Sequence, residues 1–93
     1  MRVKVTFLGF FRNQVGRSTL EVELPEGSTY RTLLDAIGPD VEGKLPEWAW
    51  DPQNRVFTRR VLISRNLQGD LRDEATVLAD GDEILVVPPL AGG

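Results

Sequence analysis

Ninety-three residues are enough for one small domain and too few for two. With 41% hydrophobic and 27% charged residues, the composition is that of a globular chain, not a disordered or fibrous one, and the longest apolar runs fall far short of the roughly 20 residues a membrane span needs. A net charge of −3 and a pI near 4.8 argue against nucleic acid as the main partner.

From Arg2 to Phe10 the sequence alternates, with Val3, Val5 and Phe7 on one face and Arg2, Lys4 and Thr6 on the other, the period of a half-buried strand. A polar stretch ending at Gly16 leads to a second alternating run, Leu20, Val22 and Leu24 against Thr19, Glu21 and Glu23. The short connection predicts an antiparallel hairpin. Pro25-Glu26-Gly27 ends that strand. Ser28 or Thr29 then offers a helix N-cap, followed by Tyr30, Leu33, Leu34 and Ile37 at the spacing of one apolar helical stripe. Gly38 and Pro39 predict its end.

Asp40 to Asn54 has no clear period and is long for an unstructured connection, with one helical turn fitting around Leu45 to Trp50. Trp48 and Trp50 either cap an end of the core or belong to a binding surface. Val56 to Ser64 reads as a third strand, and Asn66-Leu67-Gln68-Gly69 as a turn. Arg55, Arg59, Arg60 and Arg65 crowd this segment, as a solvated face or a local basic patch. Asp70 to Leu78 is irregular, with Leu78 a core plug. A turn at Asp80-Gly81-Asp82 leads into a last strand, Glu83 to Val87, stopped by Pro88-Pro89.

Strand, strand, helix, strand, strand is the order of a β-grasp, or ubiquitin-like, α+β fold. It implies a mixed sheet of about four to five strands, the most apolar first and last strands central, and one main helix across one face. The domain is expected to span residues 1–87 and an extended tail residues 88–93.

The chain has no cysteine and no histidine, hence no thiolate nucleophile, disulfide or imidazole base. Its acidic residues lack EF-hand spacing, and Asp80-Gly81-Asp82-Glu83 is too short to wrap calcium. No metal site, no bound cofactor and no stand-alone catalysis are therefore expected. No basic, apolar leader follows Met1, so a cytoplasmic protein without membrane attachment is expected as well.

Chemistry then falls to the end, Pro88-Pro89-Leu90-Ala91-Gly92-Gly93. A terminal glycine pair arises by chance roughly once in a hundred at this glycine content, and a frayed terminus is the plain alternative. Two prolines, however, stiffen the exit from the last strand. Glycines without Cβ can thread a narrow channel and deliver a carboxylate to another protein's active site. A carboxylate must be activated before a nucleophile displaces it, and no phosphate-cradling glycine loop is present, so a partner must bind the ATP. Without cysteine, any sulfur carried would sit on the terminal carboxylate, as a thiocarboxylate.

Thr29-Tyr30-Arg31-Thr32-Leu33-Leu34, Asn66, and Leu78-Ala79-Asp80-Gly81-Asp82-Glu83 leading to Pro88-Pro89-Leu90-Ala91-Gly92-Gly93 resemble the MoaD/ThiS family of ubiquitin-like sulfur carriers. Pro88-Pro89 is closer to the small subunit of molybdopterin synthase than to the thiamine branch. The longer middle, Asp40 to Arg60, resembles an extended subgroup that includes archaeal-type modifiers. The resemblance implies that a ubiquitin-activating-type enzyme adenylates Gly93, that a persulfide donor converts it to a thiocarboxylate, and that the large synthase subunit uses the sulfur for the pterin cofactor. Gly93 then carries the reacting group, Gly92 gives clearance, and Pro88, Pro89, Leu90 and Ala91 guide the tail. Arg12, near a position often basic in the family, is either a contact to the activating enzyme or an ordinary solvated arginine.

If Val3, Val5, Phe7, Ile84 and Val86 point inward, then Leu8, Phe10, Leu85 and Val87 share the outer sheet face beside the tail root. That face is either a partner surface or is covered by Trp48 or Trp50. Three functions compete: a sulfur carrier for molybdopterin, a related tungsten cofactor or thiazole; a protein modifier joined to lysines through Gly93; and a scaffold with an incidental tail.

Overall fold

The computed structural model describes residues 1–89. The order is β1 (Arg2–Phe7), α1 (Phe10–Val15), β2 (Thr19–Glu23), α2 (Tyr30–Val41), β3 (Trp50–Asp51), β4 (Val56–Phe57), β5 (Leu62–Arg65) and β6 (Glu83–Val87). The main sheet runs β2-β1-β6-β5, with β1 and β6 parallel at its centre and the two outer pairings antiparallel. This is the β-grasp arrangement, with the two most apolar strands central because only there are they buried by neighbours on both sides.

The core joins Val3, Val5, Phe7, Ile84 and Val86 from the central strands to the α2 stripe of Tyr30, Leu33, Leu34 and Ile37. Thr29 caps α2 in a capping box with Thr32. Leu78 is a buried plug, as its place in the sequence suggests.

Three expectations are corrected. The first strand stops at Phe7, not Phe10, because Gly9 adopts φ 57 and ψ −140 and turns the chain into α1. The β1–β2 connection is therefore a short helix anchored by buried Phe11 and Val15. Second, α2 continues through Gly38 and Pro39 to Val41. Burial of Val41 and Leu45 holds that last turn despite the missing proline N–H, and Gly43, at φ 79, reverses the chain instead. A Cβ at Gly38 would make only an ordinary contact with the Trp50 ring, at 3.7 Å.

Third, the run Val56 to Ser64 is two strands. Thr58 to Val61 forms a turn closed by the Val61 N–H on the Thr58 carbonyl, and β4 leaves the main sheet to pair with β3. Leu45 to Trp50 contains the single helical turn expected there, with the Ala49 and Trp50 N–H groups both donating to the Pro46 carbonyl.

The Asp80-Gly81-Asp82-Glu83 segment is an architectural clasp. Asp80 accepts the Arg2 N–H at 2.8 Å, the Gly81 N–H donates to the Arg2 carbonyl at 2.8 Å, and the Lys4 N–H donates to the Asp82 carbonyl at 2.9 Å. These bonds fix where β6 starts against β1, and hence where it ends.

Candidate functional site

Of the tail, Pro88 and Pro89 lie within the described residues. Leu90, Ala91, Gly92 and Gly93 lie outside them. What the structure provides is the platform from which the tail leaves. The central ladder continues one step beyond β1, with the Leu8 N–H donating to the Val86 carbonyl at 3.0 Å. On the other side Val87 pairs with Leu62. Pro88 and Pro89, having no N–H, cannot extend the ladder, so regular pairing ends there.

Residue alternation along β6 is as expected: Ile84 and Val86 are buried, while Leu85 and Val87 are half-buried on the opposite face. Thr6, Leu85 and Ser64 form one row across that outer face, and Val87 and Leu62 the next. Leu62 is 47% exposed and Leu8 37%. The far end of the same sheet carries Arg2 bound to Glu23 at 2.9 Å and Lys4 near Glu83 at 3.5 Å. The outer face is thus charged where β6 begins and apolar where it ends.

Phe10 is 43% exposed but starts α1 rather than continuing the strand, so sheet alternation does not place it. It stands beside Trp48, with ring centroids 5.9 Å apart, and Trp48 also contacts Phe11 at 5.8 Å. The Arg60 guanidinium lies 4.9 Å from the centre of the Trp48 ring, a cation–π contact. Trp50 is a core residue, edge-on to Phe57 at 5.0 Å. The two tryptophans therefore have different roles: Trp50 fills the interior, and Trp48 shields part of Phe10 while Leu8 and Leu62 stay exposed. Arg12 is exposed in the last turn of α1.

The remaining arginines of the crowded segment disperse. Arg55 pairs with Asp35 at 3.2 Å and Arg65 with Asp82 at 2.8 Å. Leu62 and Gly9 are the residues of the tail root that sequence reading missed. Leu62 alternates with Val61 and Ile63 in the sequence, but its pairing with Val87 is long-range. Gly9 sat within an apparently continuous strand.

A cleft of about 710 Å³ opens elsewhere, lined by Tyr30, Phe57, Arg59, Asp70 and Arg72 among others, and by none of the tail-root residues. Arg72 is occupied there by Asp70 at 2.9 Å and by the carbonyls of Thr58 and Val61. Burial pushes the Tyr30 phenol well up, so it stays protonated. Among the described residues no group of three or more carboxylates is placed to hold a metal ion. Nor, among them, is any helix long and apolar enough to cross a membrane.

Three similar proteins match over the full lengths of both chains. Small archaeal modifier protein 3 of Haloferax volcanii is 26% identical over 93 residues. A structure from the complex of subunits 1 and 2 of molybdopterin-converting factor from Helicobacter pylori 26695 is 27% identical, with a TM-score of 0.63. The crystal structure of SAMP1 from Haloferax volcanii is 21% identical, with a TM-score of 0.77, and supports the fold. The ThiS family model matches residues 5–93, nearly the entire chain, and the protein is therefore a member of the ThiS family of small ubiquitin-like proteins.

Proposed function

We propose that the protein is a sulfur carrier whose reagent is the carboxylate of Gly93. The observation that carries this reading is the junction at Val87-Pro88: a central strand paired on both sides ends beside exposed apolar residues and is followed in the sequence by Pro88-Pro89 and a Gly-Gly terminus. A ubiquitin-activating-type enzyme supplies ATP. The carboxylate attacks the α-phosphate, pyrophosphate leaves, and an acyl-adenylate forms on Gly93. The outer sulfur of a persulfide donor then attacks the acyl carbon and AMP leaves. A thiol of the donor cleaves the resulting acyl disulfide, leaving the thiocarboxylate here and a disulfide on the donor.

Leu8, Leu62, Leu85 and Val87 are the surface on which such partners dock, with Phe10 and Arg12 at its border. Gly92 provides clearance, and Pro88, Pro89, Leu90 and Ala91 guide the end into the partner's channel. Full-length similarity to a chain from the two-subunit molybdopterin-converting factor supports a large synthase subunit as acceptor, with sulfur going to the molybdopterin or tungstopterin cofactor. The matching length of small archaeal modifier protein 3 favours a second reading, in which a lysine amine of another protein attacks the same activated carbonyl.

Intact-mass spectrometry of the chain isolated with its activating enzyme and persulfide donor tests the carrier reading. A mass gain of one sulfur-for-oxygen exchange, confined to the terminal peptide, is expected. An unchanged mass under conditions that consume ATP contradicts it. A ladder of higher-mass conjugates that vanishes on deleting Gly92 and Gly93 would instead support the modifier.

A further inference from the structure

β6 becomes the tail, so what Pro88 packs against bears on the direction in which the tail leaves. That contact is with Gly9. A Cβ built on Gly9 would stand 3.0 Å from Cγ of Pro88, tighter than nearly all real Cβ contacts, and 3.7 Å from its Cδ, an ordinary contact. A side chain at this position would force the proline ring to give by a few tenths of an ångström. Independently, Gly9 has φ 57 and ψ −140, a conformation that a Cβ disfavours. Two separate constraints thus select glycine at one position.

The seat is also rigidly mounted. Gly9 lies between Phe7 and Phe11, both fully buried, and the Leu8 N–H is bonded to the Val86 carbonyl two residues before Pro88. Core packing therefore fixes Gly9 from both sides, and the ladder fixes the strand that arrives at it.

We propose that Gly9 is a positioning residue: its bare backbone is the seat for Pro88 and sets the angle at which the tail is presented to a partner. The proposal rests on the reading that the Gly93 carboxylate is delivered into another protein's active site. Leverage makes the seat matter. Five residues follow Pro88, so an error in direction at Pro88 is passed on to the segment that carries the carboxylate. Misplacement of a reacting group by about 1 Å can cost on the order of a hundredfold in rate.

The test compares the unsubstituted chain with Gly9→Ala, Pro88→Ala and the double variant in ATP–pyrophosphate exchange by the adenylating enzyme, alongside thermal melts. Gly9→Ala is expected to lower kcat roughly tenfold with little change in KM, because presentation is altered more than docking. Pro88→Ala removes the two carbons that the new methyl would meet. It is expected to lower kcat by itself and to abolish most of the further effect of Gly9→Ala. Unchanged kcat in a folded Gly9→Ala protein, or the same fold-loss in both backgrounds, overturns the proposal. Should Gly9→Ala fail to fold, full kcat in Pro88→Ala overturns it.

Nuclear Overhauser contacts between Gly9 Hα and Pro88 Hγ and Hδ report the seat in the free chain, and their absence also overturns it. An unsubstituted chain that supports no exchange refutes the carboxylate-delivery reading, and these contacts then decide separately whether the seat exists.

Discussion

The Asp82 carboxylate holds the Arg65 guanidinium at 2.8 Å, at the end of β6 opposite the tail. The same carboxylate accepts from the Asn66 amide at 2.9 Å and from the Ala79 N–H at 2.8 Å, while the Asn66 carbonyl oxygen accepts the Glu83 N–H at 2.8 Å. One buried acid therefore closes the turn before β6 and the end of β5 together. Asp82→Asn removes the charge from this network and is expected to destabilise the fold by about 2 kcal/mol, measured by urea unfolding. A loss below a few tenths of a kcal/mol would mean that the network is not what registers β6.

The same group predicts a pH dependence. Burial pushes the Asp82 carboxyl up, but the hydrogen bonds from Ala79, Asn66 and Arg65, with the charge of Arg65, outweigh it and leave the pKa below the ordinary value. A carboxyl lower in the folded than in the unfolded chain stabilises fully above the unfolded pKa of about 4, and the contribution fades as pH falls through the folded value. Thermal melts from pH 6 downward should show stability falling in acid, with a shallower fall in Asp82→Asn. Equal slopes for the two proteins would contradict the assignment.

Asn66 and Leu67 form a two-residue turn with φ 53 and φ 64, closed by the pair Arg65 and Gln68. Both central residues have positive φ, the geometry that prefers Asn-Gly, so Leu67 occupies the glycine place at 79% exposure. A left-handed conformation costs an L-residue roughly 1–2 kcal/mol, partly offset by the unfolded-state entropy of glycine. Leu67→Gly should therefore raise stability by up to about 1 kcal/mol, read as a higher denaturant midpoint at unchanged m-value. A lower midpoint would show that Leu67 makes a contact worth more than its strain.

Val87→Asp places a charge on the apolar half of the outer face, next to Leu62. Since Val87 is only half-buried, melting temperature should change little while affinity for the adenylating enzyme, measured by calorimetry, falls at least tenfold. Unaltered affinity would remove this face from the docking surface. A collapse of thermal stability would mean that the side chain belongs to the core.

Period-two and period-three-to-four patterns carried most of the fold, because burial of Val3, Val5, Phe7, Ile84, Val86 and the α2 stripe is a local property of spacing. The misreadings came from tertiary context. Gly9 looked like one more strand residue because nothing local reveals that the Pro88 ring, far along the chain, packs tightly where its side chain would begin. Gly38-Pro39 looked like a helix stop because the burial of Val41 that overrides it involves the rest of the core. For the site, Leu85 and Val87 were legible from alternation, whereas Leu62 joined them only through cross-strand pairing.

The most direct test of the carboxylate-delivery account appends one alanine after Gly93 and follows ATP-dependent sulfur loading by intact mass, with the adenylating enzyme and persulfide donor present. The account predicts that the unsubstituted chain exchanges its terminal oxygen for sulfur and that the extended chain stays unloaded unless the extra residue is removed. Sulfur on an untrimmed extended chain would contradict it.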